Sequence, residues 1–248
     1  KSGVSIALLS LDGTNVTLNL NNAIQRQSYG AGTDTGFPRF VGSAATRYPL
    51  YIGASDVDNT NAESQRCFGG YIAEIRIYRN RALSDAEQRS LIALLAKKYV
   101  GDSLYQQYVR TADGSMAGSL TDESVPVVAK EPDVQWTPEF CDQTFNAWDA
   151  TCSKPTLVKN AWANGGRALR FNSADKTCLK IPNGTNGDPL SGLGKFSIAF
   201  VFRTTTDGTG YSVAKESCGI YSSMLEKYDG NDSGAGCAMV GFVSGGGI

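Results

Sequence analysis

Polar and apolar residues alternate early in the chain. Val16, Leu18 and Leu20 share one face of a strand and Asn15, Thr17 and Asn19 the other, the pattern of a half-buried strand. A run preceding it, VSIALLSL, is joined to it by Asp12-Gly13, a pair suited to the positive φ of a tight hairpin turn. Residues 28–47 are rich in Gly, Ser and Thr and read as a loop with short pairings. RYPLYIGAS reads as a further strand, and DVDNTNAESQR as a polar loop.

The sharpest pattern is GYIAEIRIYRNRALSDAEQ. Period-two alternation puts Tyr71, Ala73, Ile75 and Ile77 on one face, and Ile72, Glu74, Arg76 and Tyr78 on the other. Asn80-Arg81 is a turn. Ser84 follows as an N-cap with Glu87 three residues on, a capping box. Asp85 favours the positive first turn of the helix, and Lys97 and Lys98 its last turn. Leu91, Leu94, Leu95 and Lys98 make the packing stripe, and Gly101 marks the stop. Residues 101–133 read as a connector. From Val134 the pattern is β-rich again, with RALRF, KTCLKIP and the run KFSIAFVFRT. In that run Phe196, Ile198, Phe200 and Phe202 oppose Ser197, Ala199, Val201 and Arg203.

Two stretches resemble laminin G-like and pentraxin-like modules of the concanavalin A-like lectin/glucanase superfamily. PLYIGAS followed by FGGYIAEIRIYRNRALSDAEQRSLIALL resembles the pattern that closes such a module. GGRALRFNSADKTCLKIPNG followed by LSGLGKFSIAFVFRT resembles the pattern that opens one, with Val201 where the family often has tryptophan. The resemblance implies an all-β jelly-roll sandwich with a short C-terminal helix closing one module. The order is inverted: residues 1–100 carry the closing half and 134–248 the opening half. A piece of tandem modules, a permuted module, and head-to-tail completion between identical chains each produce that order.

Composition narrows the chemistry. The formal net charge is -1, with 23 basic and 24 acidic residues, which argues against nucleic acid as a partner. No apolar run of spanning length exists, so no membrane insertion is expected. Histidine is absent, which excludes Ser-His-Asp and Cys-His catalysis. The six cysteines lack a C-x-x-C pair and suit disulfides in an oxidising compartment, with Cys141 and Cys152 as the candidate local pair. The start at KSGVSIALLSL, with no methionine, reads as a processed chain or a fragment.

Three candidate sites follow. Glu74 and Arg76 share a strand face. Glycoside hydrolases of the resembled fold place carboxylates at alternate positions of one strand, and here the second position is a cation, so an ion pair bracing strand to helix or loop is the preferred reading. Asp56, Asp58, Asn59 and Glu63 offer several oxygen ligands within eight residues, a candidate calcium site. Trp136, Trp148 and Trp162 are candidate sugar-stacking residues. The expectation is a non-enzymatic recognition or adhesion module, extracellular or on a cell or virion surface, that binds glycan or protein. The alternatives are a structural subunit of a fibre, appendage or coat, self-assembling through incomplete sandwich halves, and a glycoside hydrolase-like enzyme.

Overall fold

The computed structural model describes residues 3–28, 50–55, 66–101, 130–138, 154–161, 166–172, 177–181, 190, 193–204, 220–227 and 238–243. The first hairpin forms as expected, from β1 (Ser5–Leu11) and β2 (Asn15–Leu20). Its turn rests on Gly13, at φ +101°, a conformation costly for residues bearing a Cβ. The Asp12 carboxylate accepts the Thr14 and Asn15 N–H groups at 2.9 and 2.7 Å. A second tight turn follows, with Asn21 and Asn22 at φ 49° and 73°. Positive φ at both central residues is the type I′ signature, and it launches β3 (Ala23–Ser28), a strand absent from the sequence reading.

β7 (Gly70–Arg79) and β12 (Phe196–Thr204) are the spine of the larger sheet. With β10 (Ala168–Phe171) and β9 (Thr156–Val158) the order is β3-β2-β1-β12-β7-β10-β9, and β8 (Val134–Trp136) pairs with β7 beside β10. All its ladders are antiparallel. Strands from residues 1–100 and from 134–248 are thus neighbours in one sheet, with β12 between β1 and β7. A second sheet of shorter strands runs β11 (Leu179–Ile181), β4 (Leu50–Ile52), β13 (Ile220–Lys227), β6 (Arg66–Cys67), β5 (Ala54–Ser55), with β14 (Ala238–Val243) on β13.

Here the expected architecture is corrected. Among the described residues the eight-stranded sheet is open, ending at β3 and β9, and does not curl into a jelly-roll sandwich. The physical reason is that both of its faces are already covered. One face packs Ile75, Ile77, Ile198, Phe200 and Phe202 into a core shared with Leu50, Ile52, Phe68 and Leu179. The other packs Ile6, Leu8, Ala199 and Val201 under α1 (Asp85–Tyr99). A jelly-roll sheet hides one face and wets the other; here the helix is a full layer of the core and not a closing cap at a module's edge.

Local corrections have equally plain causes. Val201 pairs with Glu74 but Phe202 pairs with Ile72, so Ala73 is an extra residue in β7, a β-bulge. The bulge breaks the simple alternation. Ile72 joins Ile75 and Ile77 in one core, and Tyr71 and Ala73 go to the helix side with Tyr78. In α1 the Ser84–Glu87 capping box is present, and the Gly101 N–H reaches the Ala96 carbonyl. The buried face comprises Gln88, Leu91, Ile92, Ala93, Leu95, Ala96 and Tyr99, while Leu94 is only half-buried and Lys98 is exposed. The helix therefore buries a broader face than the Leu91–Leu94–Leu95–Lys98 stripe.

Candidate functional site

Cross-strand register arranges the helix-side face of the large sheet into rows. Thr17, Ser10, Ser197 and Tyr78 are successive partners across β2, β1, β12 and β7. Asn19, Leu8, Ala199 and Arg76 form the next row, and Ile6, Val201 and Glu74 the one after. Polar groups thus punctuate an apolar face at both ends of the helix that covers it.

At the far row, Glu74 is 1% exposed and fully engaged. Its Oε1 accepts from Arg76 Nε at 2.5 Å and Gln135 Nε2 at 2.6 Å. Its Oε2 accepts from Lys98 Nζ at 2.7 Å and from the Tyr99 hydroxyl. Burial alone raises the Glu74 pKa, but the Arg76 guanidinium and the hydrogen bonds from Lys98 and Tyr99 outweigh it and hold the carboxyl below its ordinary range. Arg76 reaches onward to the Lys130 carbonyl at 3.2 Å. Glu74 also raises the Arg76 pKa against the opposing effect of burial. Burial pushes the Tyr78 hydroxyl up to about 12. One carboxylate thus ties β7 to the C-terminal turn of α1 and to β8. Among the described residues four donors hold this buried carboxylate in place, and its lowered pKa keeps it ionised. Nearby, Asp133 accepts from the Arg79 N–H at 2.7 Å and from Arg81 at 3.1 Å, fastening the stretch before β8 to the end of β7.

At the near row, Ser10 and Ser197 hydroxyls lie 2.6 Å apart. The Ser197 hydroxyl takes the Leu83 N–H at 2.9 Å, and Gln88 Nε2 donates to the Leu83 carbonyl at 2.8 Å, seating the start of α1 on the sheet. Outside this seat lies an open groove of about 480 Å³, whose lining includes Asp12, Asn15, Thr17, Arg26, Asp85 and Lys195. Arg26 and Asp85 are ion-paired across it. Hydrogen bonds from the Asn15 side chain and the Thr14 and Asn15 N–H groups bring the Asp12 pKa down to about 2. Among the described lining residues two carboxylates are balanced by two cations, beside hydroxyl and amide groups.

Of the residues singled out from sequence, Glu74 and Arg76 meet. Trp136 is 3% exposed and packs within the core shared by the two sheets, presenting no ring face to solvent. Trp148, Trp162, Asp56, Asp58, Asn59, Glu63, Cys141 and Cys152 lie outside the described residues. Among the described residues no group of three or more His, Cys, Asp or Glu side chains converges on a metal position. Cys178 is buried and disulfide-bonded. No described helix is long and apolar enough to cross a membrane. The groove was missed because its lining comes from the ends of β1 and β2, the middle of β3, the turn before α1 and Lys195, which only the register brings together. No protein-family model, curated protein or solved structure matches the chain. The resemblance to laminin G-like and pentraxin-like modules is accordingly a likeness of short strand patterns that neither these comparisons nor the open sheet supports.

Proposed function

We propose that the chain is a non-catalytic recognition module of an extracellular or surface protein, and that the groove at the N-terminal end of α1 takes a neutral, hydroxyl-rich ligand, a glycan. The observation that carries this reading is the groove's balanced lining, with Asp12 and Asp85 set against Arg26 and Lys195, and with Thr17 and Asn15 between them. Such a surface offers donors and acceptors to hydroxyls without selecting a charged partner. Recognition here would rest on hydrogen bonds, since none of the groove's described lining residues is aromatic. Saturation of Glu74 by four protein donors supports the non-catalytic part.

The test is glycan-array binding of the intact chain, followed by titration of any hit. A double substitution of Thr17→Val with Lys195→Ala is expected to weaken binding at least tenfold, while a substitution of the distant Arg170→Ala leaves it unchanged. Binding that is absent across neutral glycans, or indifferent to the double substitution, overturns the assignment.

A further inference from the structure

We propose that the first two turns of α1 rest on an internal hydration site, in which ordered water joins Asn19 to Gln88. This inference does not depend on the groove's ligand. Asn19 is 0% exposed, and both its Nδ2 and Oδ1 lack a hydrogen-bond partner. Gln88 is 1% exposed, and its Oε1 also lacks one. Buried amide groups are nearly always paired, with protein or with ordered water, because an unpaired one forfeits its hydration without return.

The register sets Asn19 on the face of β2 that continues the helix-side row of Leu8, beneath the start of α1. Asn19 lies on β2 between Leu8 of β1 and Ile24 of β3. One row nearer the groove, Arg26 of β3 pairs with Asp85 of the helix. On the opposite side, Arg89 donates to the backbone and side-chain oxygens of Asn22 at 3.2 and 3.1 Å. Helix residues 85–89 therefore span Asn19 like a bridge on two piers. Gln88 points inward from that span, with its Nε2 fixed on the Leu83 carbonyl at 2.8 Å. That bond fixes which end of the amide is left over: Oε1, an acceptor. The proposed site thus has two acceptors, Asn19 Oδ1 and Gln88 Oε1, and one amide donor, Asn19 Nδ2. A water molecule donates two hydrogen bonds and accepts two, so it complements this set where a cation satisfies only the oxygens and an anion only the NH₂.

The experiment is water-selective NOE spectroscopy on the isotopically labelled intact chain. The expected result is a cross-peak from water to the Asn19 side-chain amide protons, with the sign of a slowly exchanging bound molecule, and a second to the Gln88 side chain. Asn19→Leu, which keeps the branched side-chain skeleton of asparagine without its polar atoms, is expected to abolish the Gln88 cross-peak while preserving the circular dichroism of the fold. A wild-type chain without these cross-peaks overturns the proposal, as does a high-resolution crystal structure in which Asn19 and Gln88 bond directly to each other.

Discussion

The two faces of the eight-stranded sheet solve the same burial problem by different means. The face toward the second sheet is built from Ile75, Ile77, Ile198, Phe200 and Phe202, with Phe68 tilted against Phe171 and edge-on to Phe202. The face toward α1 is equally enclosed yet carries Glu74, Arg76, Ser10, Ser197 and Asn19, with Gln88 of the helix set against it. An apolar face gains stability from area and is indifferent to the identity of its partner. A polar face gains little net stability, but each group demands a particular neighbour, which fixes where a helix sits. The sheet–sheet side thus supplies stability, and the helix side supplies position.

The comparison breaks most readily at Glu74. Glu74→Gln preserves shape but leaves Arg76 as a buried charge without its counter-ion, and is expected to cost about 3 kcal/mol in chemical denaturation. Phe200→Leu alters shape but keeps the site apolar, and is expected to cost about 1.5 kcal/mol in the same measurement. If the second loss exceeds the first, the division between the faces is wrong. Ser84→Ala removes the cap of a helix that is also seated through Leu83, with an expected loss of about 1 kcal/mol by thermal unfolding.

The smallest effect is expected on acidification of the hairpin turn. The Asp12 pKa is lowered to about 2 from an ordinary 3.8. A depressed carboxyl contributes stability that is fully present above its unfolded value and lost as pH falls through its folded one. The contribution of Asp12 should therefore disappear between about pH 4 and pH 2, visible as a carboxyl titration by NMR with a midpoint near 2. A midpoint near the ordinary value would show that the Asn15 and Thr14 hydrogen bonds do not persist in solution. Because the group is exposed, Asp12→Asn should leave global stability nearly unchanged.

What was legible in the sequence was local. The Ser84–Glu87 box, the Asp12-Gly13 turn and the aromatic alternation of β12 depend on neighbours within a few residues, and the structure contains each of them. What was not legible depends on pairing. The bulge at Ala73 is defined by the register of β7 against β12, and it overrides an alternation that looked regular. The partial burial of Leu94 follows from where the sheet lies beneath the helix, which no periodicity within the helix specifies. Strand β3 begins at an Asn-Asn pair that reads as a weaker turn signal than Asp-Gly, though its φ values are those of a tight hairpin. The likeness to a known module failed for a related reason. Strand-edge motifs carry the chemistry of a strand meeting a turn, and unrelated sheets share that chemistry. At the candidate site, Glu74 and Arg76 were found because they are two residues apart; Lys98, Tyr99 and Gln135, which determine what Glu74 can do, are not near it in the chain.

The place of β12 between β1 and β7 has a consequence for how the chain acquires its structure. Ser10 and Ser197, bonded to each other, are 187 positions apart. A ribosome delivering residues at its usual pace exposes the first hairpin for about ten seconds or more before its partner strand emerges. Through that interval one long side of β1 has no ladder, and the apolar residues of the hairpin face water. Sheets closed by such distant pairings fold slowly, because the loop must be gathered before any contact rewards it. The last strand of the spine to be synthesised is therefore the one on which the whole sheet waits, and a nascent chain stalled before residue 196 would hold every neighbour of β12 and none of the order that β12 imposes.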